Sequence, residues 1–315
     1  MKPGFALVTG AAGFVGSNLT NELLKSGRRV IAIDAFLPDL YPADIKKRRW
    51  ESLRNLGDNR LVLLEFDLRT DNFQNLNEFN ITTIFNEAAM PGLISNWSNS
   101  EIYFQCNLIA LQRLLEYSKN LELDSFIHAS TSSVYGRSAV GDESQALNPT
   151  SPYGVSKLAA EKLLLAYLEW FGIPVKILRY FSVYGPNQRP DMAYAKIIRA
   201  INCGEEFTIY GDGEQKRSNT FIDDIVEATI LAETRAHIGD VMNLCGDDTI
   251  SLNHAIQIIE SVSGKTLKSR FVEGRSGDQR DTSGVNLLAK KILNWTSRIG
   301  IVEGLEMQYK ASLSS

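Results

Sequence analysis

Cysteine, excess positive charge and long apolar runs are scarce in this 315-residue sequence, and each scarcity excludes a class of protein. The three cysteines, Cys106, Cys203 and Cys245, lie far apart and form no CxxC pair. They predict buried thiols in a reducing compartment, with no disulfide framework and no metal site. No run of about 18 apolar residues occurs, and the N-terminal apolar run is too short for a signal peptide. We therefore expect a cytoplasmic protein with no membrane partner.

The charge balance argues against nucleic acid as the main partner. The sequence has 33 Lys and Arg against 37 Asp and Glu, a formal net charge of -4, whereas binding to a phosphate backbone usually requires a basic surface. A small anionic ligand needs only a local cluster of cations and remains possible. Hydrophobic residues at 44% and charged residues at 22% are ordinary globular values. The length predicts one large domain or two closely packed ones.

Short apolar runs alternate with helical patterns along the first half of the sequence. This alternation predicts a Rossmann-type, doubly wound parallel sheet with helices on both faces, in the α/β class. We expect residues 1–180 to form this domain, with 219–247 returning to it, and 181–315 to form a smaller α/β lobe. The strand candidates are Phe5–Val8, Arg29–Ile33, Leu61–Phe66, Ile81–Phe85, Ser125–Ala129 and Pro174–Leu178, with helical patterns at 14–26, 101–119 and 153–171.

Residues 35–60 have a less regular pattern that includes a basic run. Lys46, Lys47, Arg48 and Arg49 follow one another. Charge runs usually form a solvated helix face, and this is the expectation here; contact with the outer edge of a cofactor is the alternative.

A glycine-rich turn, TGAAGFVG, follows the first predicted strand and opens a helix. Gly10 permits the tight turn, Gly13 lets the backbone approach a diphosphate, and Gly16 lets helix and strand pack closely. Phe14 and Val15 begin the helix, whose free N-terminal amides attract phosphate. Asp34 ends the next strand and can accept a hydrogen bond from a ribose 2′-hydroxyl while repelling a 2′-phosphate. The motif therefore predicts a dinucleotide site that binds NAD rather than NADP.

The segment Tyr153-Gly-Val-Ser-Lys157 places a phenol and an ammonium on one helix face. A phenol with a pKa near 10 is a poor base at neutral pH, and a neighbouring cation lowers that pKa. The pair can therefore serve as a proton-transfer site. Pro152 and the possible N-cap Ser151 predict where the helix begins.

These motifs together resemble the extended short-chain dehydrogenase/reductase superfamily, and its NAD-dependent epimerase/dehydratase family in particular. The glycine spacing, YGVSK, STSSVYG, RYFSVYGP, QRPDMA and YGDGEQKR carry the resemblance, which covers nearly the whole chain. It implies a catalytic triad of Thr131, Tyr153 and Lys157. Asn86 stands where this family usually has His. The cofactor-binding residues that the resemblance adds are Asp67, Leu68, Ala88, Asn107 and Tyr180, besides Tyr153 and Lys157.

Residues after Thr131 help to choose among the family's reactions. A 4,6-dehydratase carries Asp-Glu there and a UDP-glucuronate decarboxylase carries Ser-Glu, whereas this chain has Ser132 and Ser133. Together with Ser182, these hydroxyls could hold a substrate carboxylate. The segments look most like those of UDP-glucuronic acid 4-epimerases, which interconvert UDP-glucuronic and UDP-galacturonic acid. The alternatives are a UDP-glucose/UDP-galactose 4-epimerase, another NAD-dependent nucleotide-sugar oxidoreductase, and an NAD-binding scaffold without activity.

The resemblance also implies residues that hold the nucleotide and a surface for self-association. Ile94 stands where close relatives carry Arg, which leaves the substrate open. Helices near 101–119 and 153–171 form a four-helix dimer seam in the family, so a homodimer is expected. The residues expected at the diphosphate and uridine are the cations Arg189, Arg217 and Arg275, with Tyr210 packing on the uracil.

Overall fold

Parallel strands and covering helices build the first two thirds of the chain. The structure, a computed structural model, describes residues 4–92, 99–274 and 279–313. In chain order the strands are β1 Phe5–Thr9, β2 Arg29–Asp34, β3 Leu61–Glu65, β4 Ile81–Asn86, β5 Ser125–Thr131, β6 Val175–Tyr180, β7 Ser182–Tyr184, β8 Glu206–Tyr210, β9 Lys216–Phe221, β10 Val241–Leu244, β11 Asp248–Ser251, β12 Lys268–Val272 and β13 Asp281–Thr282.

The helices cover both faces of the large sheet and complete the smaller part of the molecule. A π-helical turn, Gln105–Ile109, joins α3 to α4. The helices are α1 Phe14–Lys25, α2 Ala43–Arg54, α3 Glu101–Phe104, α4 Ala110–Ser118, α5 Pro152–Phe171, α6 Ala193–Cys203, α7 Ile222–Arg235, α8 Leu252–Ser263, α9 Leu287–Leu293 and α10 Ile301–Ser312. Among the described residues, none of these helices has the length and apolar character needed to cross a bilayer.

The large sheet confirms the predicted doubly wound fold. In the described part of the chain it has seven strands in the order β10-β6-β5-β4-β1-β2-β3, all parallel. Strands β1, β5 and β6 are buried along their whole length, as expected for a parallel sheet covered on both faces. Their carboxyl ends meet at one edge, where ligands bind in such sheets.

A smaller assembly of strands follows β6. Strand β9 pairs with β7 and β13 in parallel and with β11 in the antiparallel direction, and β8 pairs with β12. Strand β10 returns to the large sheet beside β6, with residues Val241 to Leu244 opposite Ile177 to Tyr180. The chain therefore leaves the large sheet after β6 and rejoins it once.

The helix that carries the YGVSK segment begins at the predicted position. Ser151 accepts a hydrogen bond from the Gly154 amide at 3.1 Å, and Pro152 occupies the first turn, where its missing N–H costs nothing. Gly172 ends the helix in a left-handed conformation. These local signals confirm the N-cap prediction and fix α5 against the end of β5.

Candidate active site

A cleft of about 490 Å³ runs along the carboxyl edge of the large sheet. It brings together segments from the glycine-rich turn to the second sheet, although they lie far apart in the sequence. The predicted residues that line it are Gly10, Gly13, Phe14, Val15, Gly16, Asp34, Asp67, Leu68, Ala88, Thr131, Ser132, Ser133, Tyr153, Lys157, Tyr180, Ser182, Arg189 and Arg217.

At two glycines of the glycine-rich turn there is no room for a Cβ atom. Gly10 has a φ of +65°, and a Cβ there would lie 2.8 Å from the Ala88 amide nitrogen. At Gly16 a Cβ would lie 2.2 Å from the Gly10 carbonyl oxygen. The amides that open α1 receive no side-chain cap at Gly13, which leaves the positive end of the helix directed at the cleft. This turn fits a dinucleotide diphosphate.

Asp34 reinforces the turn as well as facing the cleft. One carboxylate oxygen accepts the Ala12 amide at 3.0 Å, and the other accepts the Phe36 amide at 2.8 Å. Each oxygen keeps a lone pair for a ribose hydroxyl. Elsewhere in the cleft, Asp67 forms an ion pair with Arg69 at 2.7 Å, and this pair lowers the pKa of Asp67.

The basic run does not form a solvated face throughout, so that expectation is wrong for two of its members. Lys46 lines the cleft, donates to the Leu37 carbonyl at 2.9 Å and has a pKa lowered by burial. Arg49 donates to the carbonyls of Ala12, at 3.3 Å, and of Asn187, at 2.6 Å. Lys47 and Arg48 are exposed. Because α2 packs beside α1, one side of the run faces the glycine-rich turn.

Thr131 and Tyr153 meet because β5 ends where α5 begins. A Cβ at Gly154 would lie 2.6 Å from the Ser133 carbonyl, so only glycine allows this approach. Thr131 accepts the Ser133 amide at 3.1 Å and forms a hydrogen bond with the Tyr153 phenol that lowers the phenol's pKa. Burial has the larger effect, so the pKa of Tyr153 stays above its ordinary value.

The Lys157 side chain is buried, since the residue is only 2% exposed. Its Nζ donates to the Ala129 carbonyl at 2.5 Å and lies 3.0 Å from His128 Nε2. Burial lowers the pKa of Lys157 to about 8, although carboxylates at Glu87 and Glu161 oppose this effect. The ammonium therefore titrates close to neutral pH.

A second titratable group, partly buried, lines the same end of the cleft. Glu87 accepts a hydrogen bond from the Tyr180 hydroxyl at 2.9 Å, and burial raises the pKa of Glu87 to about 7. Tyr180 also contacts Thr229 at 2.7 Å. Sequence reasoning missed Glu87 and His128. The signal that could have found them is a titratable residue within or just after a predicted strand that is otherwise mostly apolar.

Asn107 lies behind the cleft and joins two of its walls. It accepts the Met90 amide at 2.7 Å and donates to the Ser156 hydroxyl at 2.9 Å. Ser156 in turn donates to the Tyr153 carbonyl at 2.8 Å. The π-helical turn displaces Asn107 from regular helical geometry, a distortion frequent at functional sites. Asn107 thus connects the Met90 loop to the first turn of α5.

The predicted substrate residues lie in different surroundings. Arg189 is paired with Asp191 at 2.9 Å and is close enough to Tyr153 to lower its pKa, so it lies near the proposed proton-transfer site. Arg217 donates to the Lys216 and Gln279 carbonyls at 2.7 Å. Tyr210, at the end of β8, is not among the described residues that line the cleft. Arg275 and Ile94 lie outside the described residues.

Comparison with known proteins identifies relatives along the whole chain. The NAD dependent epimerase/dehydratase family matches residues 6–245. A Bacillus subtilis (strain 168) protein named uncharacterized UDP-glucose epimerase YtcB is 39% identical over 313 residues, 98% of each chain. The UDP-glucuronate 4-epimerase of Thermodesulfobacterium geofontis (strain OPF15) is 34% identical and covers 96% of this chain and 94% of its own. The crystal structure of UDP-glucuronic acid 4-epimerase from Bacillus cereus, in complex with UDP-glucuronic acid and NAD, has a TM-score of 0.94 at 38% identity and covers 98% of this chain and 99% of its own.

Proposed function

This chain belongs to the NAD-dependent epimerase/dehydratase family, and from that premise we propose that it is a nucleotide-sugar 4-epimerase. The proposed reaction interconverts UDP-glucuronic acid and UDP-galacturonic acid by transient oxidation at C4. The observation that carries the proposal is the meeting of Thr131, Tyr153 and Lys157 in one cleft with the glycine-rich turn. The solved structure of the Bacillus cereus enzyme with UDP-glucuronic acid and NAD supports the choice of substrate and cofactor.

Tyr153 is proposed as the general base and acid. When bound, NAD accepts a hydride from C4 of the sugar and returns it to the opposite face. The Tyr153 phenolate takes the proton of the sugar 4-hydroxyl and later gives it back to the 4-keto sugar, which has turned in the cleft. Thr131 and Lys157 favour the phenolate, one by hydrogen bonding and the other by charge. Since hydride and proton are both returned, the net reaction is an isomerisation.

The residues after Thr131 favour epimerisation over loss of water or CO₂. Ser132 and Ser133 form a short 3₁₀ turn, are both buried, and line the cleft together with Ser182. Neutral hydroxyls can hold a carboxylate by hydrogen bonds but are too weakly acidic and basic to drive elimination. Arg189 adds positive charge near Tyr153, which suits a substrate that carries a carboxylate at this end.

A UDP-glucose/UDP-galactose 4-epimerase is the second candidate. The hydroxyls of Ser132, Ser133 and Ser182 could equally bond the hydroxymethyl group of a neutral hexose. This candidate predicts similar reactivity toward both sugars, whereas the carboxylate proposal predicts a marked preference for UDP-glucuronic acid.

Incubation with UDP-glucuronic acid and UDP-glucose in separate reactions tests the proposal. We expect UDP-galacturonic acid as the chromatographic product, with no CO₂ released and no NADH accumulating. The Tyr153→Phe variant should lose about 10²- to 10⁴-fold in rate. Faster conversion of UDP-glucose would favour the second candidate, and NADH accumulation would indicate a net oxidoreductase.

We also propose the arrangement in which the enzyme works. Residues 1–180, with 219–247, would bind NAD, and 181–315 would hold the UDP-sugar. Cys106 and Cys245 are buried as predicted, whereas Cys203, at the end of α6, is exposed, so that prediction is wrong for Cys203. All three thiols are free, which supports a cytoplasmic location. Exposed apolar side chains on α5, Trp170 above all, support a homodimer through α4 and α5.

A further inference from the structure

Asn86 and His128 are direct neighbours on adjacent strands. They face each other in the register of β4 and β5, and they are 3% and 1% exposed. The Asn86 amide and the His128 imidazole therefore meet across the two strands, and His128 in turn lies beside Lys157.

A chain of hydrogen bonds runs from the glycine-rich turn to His128 in one direction. The Ala88 amide donates to Thr9 Oγ1 at 3.0 Å, and the Thr9 hydroxyl donates to Asn86 Oδ1 at 2.7 Å. The Asn86 Nδ2 amide then lies 2.9 Å from His128 Nδ1 and donates to it. Turning the amide round would place Asn86 Nδ2, a donor, against the Thr9 hydroxyl and would remove the acceptor that this hydroxyl now has in Asn86 Oδ1, which is costly for a buried group.

This direction determines which ring nitrogen of His128 carries the proton. Nδ1 accepts from Asn86, so neutral His128 holds its proton on Nε2. Burial keeps the imidazole neutral, because it lowers the pKa of His128 well below its ordinary value. Nε2 lies 3.0 Å from Lys157 Nζ. An N–H donor can bond there only to an amine with a free lone pair, because an ammonium has only donors.

We propose that His128 is a positioning residue that favours the neutral amine form of Lys157 through this one-directional chain. The inference rests on the proposed function, in which the Lys157 ammonium assists Tyr153. Under this proposal the charge of Lys157 depends on the direction of hydrogen bonds that begin at Ala88 and Thr9, more than 60 residues away in the sequence.

Other groups around Lys157 also affect its protonation. Glu87 follows directly after β4, and Glu161 lies one turn further along α5; both raise the pKa of Lys157, and burial lowers it. Glu161 is itself paired with Arg179 of β6 at 2.8 Å, which reduces its influence as a free carboxylate. Tyr153 lies one turn earlier on α5. With a Lys157 pKa of about 8, we expect turnover to fall as the pH rises above about 8, because the ammonium that favours the phenolate is lost.

The Asn86→Asp variant should reverse the direction of these hydrogen bonds. Its carboxylate accepts both from Thr9 and from His128 Nδ1–H, which leaves Nε2 as an acceptor for the Lys157 ammonium. We expect the alkaline fall of kcat to move upward by about one pH unit, equivalent to about 1.4 kcal/mol. Thr9→Val frees the Asn86 amide to turn and should shift the fall in the same direction by a smaller amount.

Imidazole ¹⁵N spectra of the NAD-loaded enzyme without substrate give a readout independent of turnover. The chain has three histidines, and comparison with the spectrum of a His128→Gln variant identifies the signals of the His128 ring. We expect a protonated Nε2 and a bare Nδ1 in the wild type, and the reverse in Asn86→Asp. A protonated Nδ1 or an imidazolium in the wild type overturns the proposal, and so does a reversed tautomer with an unmoved pH profile. Failure of the proposed function would appear instead as no turnover of any UDP-sugar, whatever the state of the ring.

Discussion

Glu87 is a partly buried carboxyl group whose protonation affects the stability of the fold. Its pKa of about 7, against an ordinary value of 4.5, means that the folded protein holds a proton that the unfolded chain releases at lower pH. The free energy of unfolding should therefore fall as the pH rises from about 4.5 to 7, by roughly 3 kcal/mol in total. Glu87→Gln should lose this part of the pH dependence and keep an acceptor for Tyr180. Urea unfolding of both proteins at pH 5, 6, 7 and 8 checks this; parallel curves would contradict it.

The choice between NAD and NADP depends on Asp34 and on the cations around it. In Asp34→Ser the negative charge is gone, while Lys46 and Arg49 remain beside the glycine-rich turn. We expect the ratio of NADP to NAD affinity to rise by at least about tenfold, or about 1.4 kcal/mol. Fluorescence titration with each dinucleotide measures the ratio. Asp44→Ser, which removes an exposed acid from the first turn of α2, is the control and should leave the ratio unchanged.

Individual site residues could be predicted from the sequence where the residues that act together lie within a few positions of one another. Tyr153 and Lys157 are four residues apart on one helix, and the family resemblance added Thr131. His128 and Lys46 could not be found this way, because their significance depends on partners that the sheet brings close. Asn86 lies 42 residues from His128, and only the strand register makes them neighbours.

At the start of α1 the helix packs directly against the backbone of the glycine-rich turn. Gly16→Ala would place a Cβ 2.2 Å from the Gly10 carbonyl, so the helix must move away from the turn. We expect at least a tenfold loss of NAD affinity and a stability loss on the order of 1–3 kcal/mol. Isothermal titration with NAD and thermal unfolding measure the two effects.

Gly57→Ala is the matched control for that substitution. Gly57 has a φ of +61° but has no heavy atom within 4 Å of an added Cβ. Its cost should be only the backbone strain, about 1–2 kcal/mol, with NAD affinity retained. Equal losses of NAD affinity in both variants would show that general destabilisation, and not the turn, is responsible.

Whole elements were predictable where the hydrophobic pattern was continuous. Six strand candidates of the large sheet appear within one or two residues of their predicted bounds, because buried parallel strands are nearly all apolar. The basic run 46–49 predicted a helix face but not the bounds of α2, because this helix is mostly polar and buries only Trp50 and Leu53. The smaller sheets were not predicted because their strands are short and several face solvent, as β12 beside β8 does.

At the scale of the whole molecule, contacts across the cleft connect the two proposed lobes. Arg49 of α2 donates to the Asn187 carbonyl, which follows β7, outside the large sheet. Arg189, two residues later, lies near Tyr153. The proposed substrate lobe is therefore tied to the cofactor side beside the reacting groups, an arrangement that no local sequence pattern could predict.

The proposed dimer depends on a face of α5 that the single chain leaves exposed. Val155, Lys162, Ala166 and Trp170 are exposed positions spaced for one face of the helix, and Trp170 is 80% exposed. The same helix carries Tyr153 and Lys157, so its anchoring affects the site. Ala166→Arg should cost the monomer little, since the position is exposed, but should introduce a bulky charge at the centre of the seam. We expect light scattering to show a fall from twice the chain mass to 35.1 kDa. Val302→Arg on α10, 57% exposed, adds the same group elsewhere and should leave the dimer intact. A wild-type monomer, or a dimer that tolerates Ala166→Arg, would exclude this face.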